Sequence, residues 1–218
     1  MSKIHTQQQG FTILELLVST AVFATVLLLC SMAIIQVGRM YYKGIIANRT
    51  QNAARSVVED ASQAVQFGSM SGSNFYRSGP PTTYSGITVK SYCVGEVRYS
   101  YAPNTVALGT SSGRIPHVLW KDKPGVNAVC TPLNLTIANP GGVSGQEMLG
   151  DAMRVVQFVL TQDTSNLYSI KLTVAYGGSN DVFDNTSGSP NYNICASSSM
   201  GGQYCSVSII NTSAAKRL

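Results

Sequence analysis

The chain has 218 residues and a formal net charge of +5, and only 11% of its residues are Asp, Glu, Lys or Arg. This length is sufficient for one ordinary domain with an extension. The fifteen basic residues are scattered along the chain rather than clustered. The charge therefore predicts a solvated surface and gives no sign of a stripe that binds nucleic acid.

The chain begins with a short polar segment, residues 1–10, which reads MSKIHTQQQG. An apolar run of 25 residues follows over 11–35, and Glu15 is its single charged residue. A helix of this length reaches about 38 Å, which is long enough to span a bilayer. The run is too long for the apolar part of a cleaved secretory signal. We therefore predict a helix that lies in a membrane or against other copies of itself.

Glu15 is the feature of this run that needs an explanation. A carboxylate at the centre of a membrane costs about 2.5–3.5 kcal/mol on insertion scales, and less near the interface. Ionisable residues in such segments are candidate functional residues by default. The alternative is that Glu15 is an interfacial carboxylate close to the start of the helix.

The string QQQGFTILELLVSTAVF resembles the prepilin-type signal of type IV pilins and of type II secretion pseudopilins. In those families a short polar leader ends in Gly, Phe follows, and Glu is the fifth residue after the cut. Gly10, Phe11 and Glu15 match this pattern position for position. The resemblance rests on residues 1–35; beyond them it concerns the architecture.

The resemblance implies that a prepilin peptidase cuts between Gly10 and Phe11 and methylates the new amine of Phe11. It also implies that Glu15 pairs with the Phe11 amine of a neighbouring subunit and so sets the register of a filament. The implied partners are other pilin subunits, the peptidase and, before assembly, the membrane. The implied location is a single-pass membrane protein with an extracytoplasmic head that enters an extracellular or periplasmic filament.

After the apolar run the hydrophobic period becomes that of an amphipathic helix, over residues 36–67. The glycine- and serine-rich stretch after Phe67 predicts its end. Residues 68–218 then form a predicted β-rich head, in which Tyr168–Tyr176 alternates apolar and polar residues as a half-buried strand does. The other predicted strands are Val94–Tyr101, Ile115–Trp120, Val155–Leu160 and Tyr204–Ile210. We predict an α+β fold, in which the second half of a long helix packs on an antiparallel sheet.

Five cysteines are present, and Cys30 lies within the apolar run. The other four are Cys93, Cys130, Cys195 and Cys205, and none has the CxxC spacing of a zinc ribbon or a redox site. Disulfides in an oxidising compartment are therefore predicted. Pilin-like proteins often carry a C-terminal region closed by a disulfide, which implies the pair Cys195–Cys205 and leaves Cys93 with Cys130. Four cysteines allow three connectivities, so the crossed pairings stay open.

The sequence predicts no catalytic residue, no metal site and no cofactor. His117 is the one histidine after the leader, and its setting is typical of a structural residue in a strand. The oxygen-rich loop with Asp181, Asp184 and Asn185 lacks the order of a calcium-binding loop. We read it as a solvated loop, with calcium binding as the alternative.

Three functions remain open on the sequence. The favoured one is a structural subunit of a type IV pilus or related filament, and a minor pilin rather than a major one. The second is a type II secretion pseudopilin, and the third is an exported enzyme or binding protein that keeps an uncleaved anchor. Two observations favour the minor role: many major pilins carry a proline in the apolar helix, which residues 11–35 lack, and 208 residues remain once the ten-residue leader is removed.

Overall fold

A computed structural model describes residues 11–69, 75–106, 116–124, 129–141, 145–164, 166–185, 188–196 and 204–217. The chain divides into two compact units, Met1–Tyr41 and Tyr42–Leu218. The first contains the start of the long helix. The second contains the rest of that helix and every described strand.

The helix α1 spans Ile13–Phe67. It ends where Gly68 follows, so the predicted end near Phe67 is confirmed. Its seven buried residues all come from the part after Tyr41, and they recur at the spacing of one helical face. They are Ile46, Thr50, Ala54, Val57, Val58, Ala61 and Val65. This face is the one that the sequence predicts to pack on the sheet.

The first sheet of the head has six strands. They are β1 (Tyr76–Ser78), β2 (Thr82–Tyr84), β3 (Ile87–Val94), β4 (Val97–Tyr101), β5 (Leu119–Asp122) and β6 (Gln146–Glu147). Their order is β1-β3-β4-β5-β6, β2 also pairs with β3, and all of these pairings are antiparallel.

The second sheet has three long strands in the order β11-β8-β7, again antiparallel. They are β7 (Met153–Gln162), β8 (Leu167–Tyr176) and β11 (Ser206–Ala215). In the chain, β8 and β11 are separated by β9 (Phe183–Asp184) and β10 (Asn191–Cys195), which pair with each other as a separate two-stranded sheet. The predicted α+β class, with one long helix and antiparallel sheets, is confirmed.

Two of the predicted strands are wrong in more than the extent of their ends or begin well after the predicted residue. Val94–Tyr101 is not one strand, because Gly95 and Glu96 make the turn of the β3–β4 hairpin. Gly95 has a φ of +58°, a left-handed conformation that favours glycine. The strand predicted for Ile115–Trp120 begins later, at Leu119, and Ile115 itself lies outside the described residues.

One hydrophobic core joins the helix to both large sheets. Val57 and Ala61 of α1 belong to the same buried cluster as Tyr99 of β4 and Phe158 of β7. The ring of Phe158 lies edge-on to those of Tyr92, Tyr99 and Tyr101, with centroids 5.5–6.0 Å apart. Such edge-to-face pairs are favourable beyond the area they bury. The core of the head thus contains no residue of the apolar run 11–35.

Candidate assembly and processing site

Thr12 and Glu15 cap the start of α1 reciprocally. The Glu15 backbone N–H donates to Thr12 Oγ1 at 3.2 Å, and Glu15 Oε2 accepts from the Thr12 backbone N–H at 3.3 Å. The Thr12 hydroxyl also donates to Glu15 Oε2 at 3.3 Å. This arrangement is a capping box, which satisfies two N–H groups at the helix start. Its sequence signal, Thr-x-x-Glu before an apolar run, was missed in the sequence analysis.

Phe11 lies just before this cap and is 75% exposed. Glu15 is exposed as well, and Gly10 lies outside the described residues. The resemblance marks the bond between Gly10 and Phe11 for cleavage. The capped Glu15 carboxylate thus lies a few residues after that bond in the chain.

The apolar run after Glu15 is exposed along its whole length. Residues 11–35 include Ile13, Leu14, Phe23 and Leu29, each more than 60% exposed. The helix that contains them is long and apolar enough to cross a membrane. Burial of so much apolar surface is strongly favourable. A bilayer or neighbouring subunits must therefore supply the cover.

Three hydroxyl groups of this run donate hydrogen bonds within the helix. Thr20 donates to Leu17 O at 3.0 Å and Thr25 donates to Val22 O at 2.8 Å, while Ser31 donates to Leu27 O at 2.8 Å. Such bonds let hydroxyl side chains sit in an apolar surround without an unsatisfied donor. Glu15 is the single charged residue of this run. Cys30 is free and exposed.

Two disulfides lie in the head. Cys93 joins Cys130 with a Cα–Cα distance of 5.8 Å, and Cys195 joins Cys205 with 5.6 Å. Of the three possible connectivities, the structure has the one that joins these two pairs. The first connects β3 to the segment 129–141, and the second connects the end of β10 to the residue before β11.

Asp60 connects the helix to the first sheet. Its carboxylate accepts a hydrogen bond from the Tyr99 hydroxyl at 2.5 Å, and its other oxygen pairs with the Lys121 ammonium. Burial, with a contribution from Asp60, raises the pKa of the Tyr99 phenol well above its usual range. This cluster fixes the helix against β4 and β5, so its role is structural.

His117 lies beside Glu147, with Nδ1 3.4 Å from Glu147 Oε2 and Nε2 2.9 Å from Ala138 O. The Glu147 carboxylate accepts the backbone N–H groups of Val118, Leu119 and Leu149 at 2.9–3.1 Å. Burial raises the pKa of Glu147, while these N–H groups and His117 act in the opposite direction. The cluster supports the β5–β6 pair, and His117 acts within it as a structural residue.

Arg154, in β7, is fully buried and lies against two aromatic rings. Its guanidinium carbon lies 4.6 Å from the ring centroid of Phe183 and 4.4 Å from that of Tyr192. Its Nη2 donates to Gly177 O at 2.7 Å and its Nη1 to Asn180 Oδ1 at 3.1 Å. Burial lowers the pKa of Arg154. The side chain thus attaches the segment after β8 to β7.

The oxygen-rich loop begins with a short 3-10 turn, Asn180–Val182. Ser179 Oγ donates to Asp181 Oδ2 at 2.9 Å and accepts the Asp181 backbone N–H at 3.3 Å. Within the described part of the chain, no three His, Cys, Asp or Glu side chains come together as a metal site would need. The Asp181 carboxylate thus accepts the Ser179 hydroxyl at the start of this turn.

The family described as "Prokaryotic N-terminal methylation motif" matches residues 5–31. No curated protein and no solved structure matches the chain. The matched residues include Gly10, Phe11, Glu15 and most of the apolar run. The chain thus carries the leader signature of type IV pilin-like proteins. This signature, with the exposed N-terminal helix, fits a single-pass membrane protein whose head lies outside the cytoplasm.

Proposed function

We propose that this protein is a minor pilin, a structural subunit of a type IV pilus or a related filament. The observation that carries the proposal is the spacing of Gly10, Phe11 and Glu15 in front of a fully exposed apolar helix. The proposal divides the chain into a leader (1–10), a filament-core half of the helix (11–35), an amphipathic half (36–67) and a head (68–218).

Processing is the first step of the proposed function. A prepilin peptidase would hydrolyse the bond between Gly10 and Phe11, which leaves a carboxylate on the leader and a new amine on Phe11. Methylation would transfer one methyl group from a methyl donor to that amine, which releases one proton; the resulting secondary amine is again positively charged when it is protonated. The mature chain then begins one residue before the Thr12–Glu15 cap.

Glu15 would then act in assembly. In the membrane a single subunit can keep this carboxylate near the interface, where water solvates it. In a filament the neighbouring helices exclude that water, so the carboxylate needs a cation. The Phe11 amine of an adjacent subunit supplies one, and an unpaired buried charge costs several kcal/mol even after relaxation. Because the pair forms at one axial offset between subunits, it selects the register of the bundle.

The minor role is supported by the composition of the helix. Residues 11–35 contain no proline, whereas many major pilins carry one there. A type II secretion pseudopilin would have the same N-terminal signal. The two functions differ in the machinery that assembles the filament, so recovery from sheared surface pili separates them.

Mass spectrometry of the membrane-extracted protein tests the processing step. The expected chain begins at N-methylated Phe11 in cells with active prepilin peptidase. Gly10→Ala should retain substantial cleavage because alanine is small, whereas Gly10→Trp should block it. A chain that retains residues 1–10 in the presence of the peptidase would overturn the proposal.

A further inference from the structure

The two edge strands of the three-stranded sheet, β7 and β11, differ in the hydrogen bonds that they form outside the sheet. On β7, three main-chain carbonyls accept hydrogen bonds from outside the sheet: Val155 O from the Asn104 backbone N–H at 2.8 Å, Phe158 O from the Tyr101 hydroxyl at 2.8 Å, and Leu160 O from the Tyr76 hydroxyl at 2.5 Å. The strand also has a register irregularity near Val155. This edge is therefore blocked against further strands.

The opposite edge is β11, and no carbonyl of this kind is bonded from outside the sheet among its described residues, although Val207 near its start packs with residues of the small β9–β10 sheet. Its ten residues pair with β8 in one continuous register, from Ser206 opposite Tyr176 to Ala215 opposite Leu167. Its sequence, SVSIINTSAA, contains no charge, no proline and no glycine. In the described part of the chain, no hydrogen bond beyond those with β8 reaches Ser206–Ala215.

Other described edges are much shorter. The outer strands of the first sheet, β1, β2 and β6, have two or three residues each. Natural proteins keep edge strands short, charged, bulged or covered, because an open edge pairs with another chain. A ten-residue, uncharged and regular edge is therefore best explained by a strand that pairs with it.

The exposed face beside this edge has the same character. Ile209 is 56% exposed, and Asn211 and Ser213 follow it on the same face. A shallow groove of about 430 Å³ crosses the three strands here, and Lys171 is its single charged lining residue. The surface next to the open edge thus presents one exposed isoleucine among small polar side chains.

We propose that β11 is a dimerisation edge, which pairs antiparallel with β11 of a second copy of this chain. A strand paired with itself about a two-fold axis is an isologous contact. The absence of charge on β11 means that self-pairing opposes no like charges. A two-fold pairing centred on Ile210 or Asn211 sets about nine residues of each strand opposite one another and forms about eight to ten main-chain hydrogen bonds, which is within the range of a typical protein interface. The two sheets would then form one continuous sheet of six strands.

The test uses the full chain in detergent, together with three variants. Asn211→Lys places a charge on β11 where the second copy's lysine is directly opposite or diagonal in a two-fold pairing. Gln157→Lys is the matched control, because it adds the same charge to the same exposed face but on β7. Asn211→Glu provides the complementary charge for mixing experiments. Both positions, 157 and 211, are exposed, so the three variants should fold with both disulfides intact.

The measurements are the mass of the protein by light scattering and amide hydrogen exchange over 206–215. We expect a concentration-dependent dimer for the wild type and for Gln157→Lys, with slower exchange of the β11 amides at high concentration. Asn211→Lys should raise the dimer dissociation constant several-fold and abolish that slowing, and an equal mixture with Asn211→Glu should restore it. A dimer in which β11 exchange does not depend on concentration would contradict the proposal, as would a monomer at all concentrations or a dimer that Asn211→Lys leaves unchanged. The test is independent of the proposed filament function, since neither leader cleavage nor Glu15 enters it.

Discussion

Glu15 and Thr12 hold each other at the start of the helix, through two backbone N–H bonds and one hydroxyl bond of 3.2–3.3 Å. Glu15, the residue for which the sequence predicts a role in assembly, is therefore already hydrogen-bonded within its own chain. A neighbouring amine would have to bind the carboxylate beside this cap or replace part of it. The cap also places the carboxylate in a defined position before assembly.

The first prediction concerns Thr12→Val, which removes the hydroxyl and retains a similar shape. Loss of an N-cap residue costs about 1 kcal/mol, so the first turn of the helix should fray. Amide exchange of residues 13–16 in the mature protein in lipid nanodiscs should become faster. Thr12→Ser is the matched control and should exchange at the wild-type rate. Equal rates in all three proteins would show that the capping box does not hold the helix start.

The second prediction compares the two disulfides. The loop-entropy model assigns about 4 kcal/mol to Cys93–Cys130, whose residues are 37 apart, and about 3 kcal/mol to Cys195–Cys205, whose residues are 10 apart. Cys93 is also fully buried in the head. The double variant Cys93→Ala, Cys130→Ala should therefore unfold at a lower denaturant concentration than Cys195→Ala, Cys205→Ala. The reverse order would indicate that the C-terminal disulfide is the dominant covalent support.

The third prediction tests the contact between helix and sheet. Tyr99→Phe removes the hydroxyl that donates to the Asp60 carboxylate. Hydrogen bonds to charged groups contribute about 1.5–3 kcal/mol, so the free energy of unfolding should fall by that amount. Tyr204→Phe, at an exposed position, is the control and should have little effect. Denaturant unfolding followed by circular dichroism measures both variants. If Tyr99→Phe lowers the free energy of unfolding no more than the control does, the hydrogen bond to Asp60 does not stabilise the head.

The helix and the longest strands could be predicted because their signals are local. The apolar run of 11–35 and the strict alternation of Tyr168–Tyr176 each identify an element without knowledge of its neighbours. The strand predicted at Tyr204–Ile210 forms at Ser206–Ala215, so it begins and ends later than predicted. It continues to Ala215 through small polar residues, because its pairing with β8 continues.

Other features depend on partners that are distant in the chain. An arginine in a strand is usually exposed, yet Arg154 is buried because rings 29 and 38 residues later, Phe183 and Tyr192, close over it. Glu147 likewise accepts N–H groups from residues almost 30 positions earlier. Strands such as β6 and β9, with two residues each, are too short to show any period. The Gly10–Phe11–Glu15 spacing was recognisable, by contrast, because it is contiguous.

The fourth prediction concerns the pH dependence of the head. Because the pKa of Glu147 is raised in the folded state, the folded protein binds a proton more tightly than the unfolded chain does. The contribution of Glu147 to stability should therefore be most favourable below the unfolded pKa of about 4.5, and it should decrease as pH rises through the raised value. Thermal unfolding between pH 4 and pH 7 should show this decrease as the difference between the wild type and Glu147→Gln. A difference that grows in favour of the wild type as pH rises would mean that the N–H groups outweigh burial.

The central claim is that Glu15 serves assembly rather than folding, and the most direct measurement is the amount of this protein in sheared filaments relative to the membrane pool. Glu15→Leu removes the carboxylate and with it the partner for the Phe11 amine of a neighbouring subunit. Leader cleavage, membrane insertion and both disulfides should persist, because the described core of the head contains no residue of the apolar run. The ratio of filament to membrane protein should fall well below that of the wild type, and further for Glu15→Lys, which sets like charges against each other. A wild-type ratio for Glu15→Leu would contradict the account, and Glu15 would then be a helix-capping residue at the membrane interface.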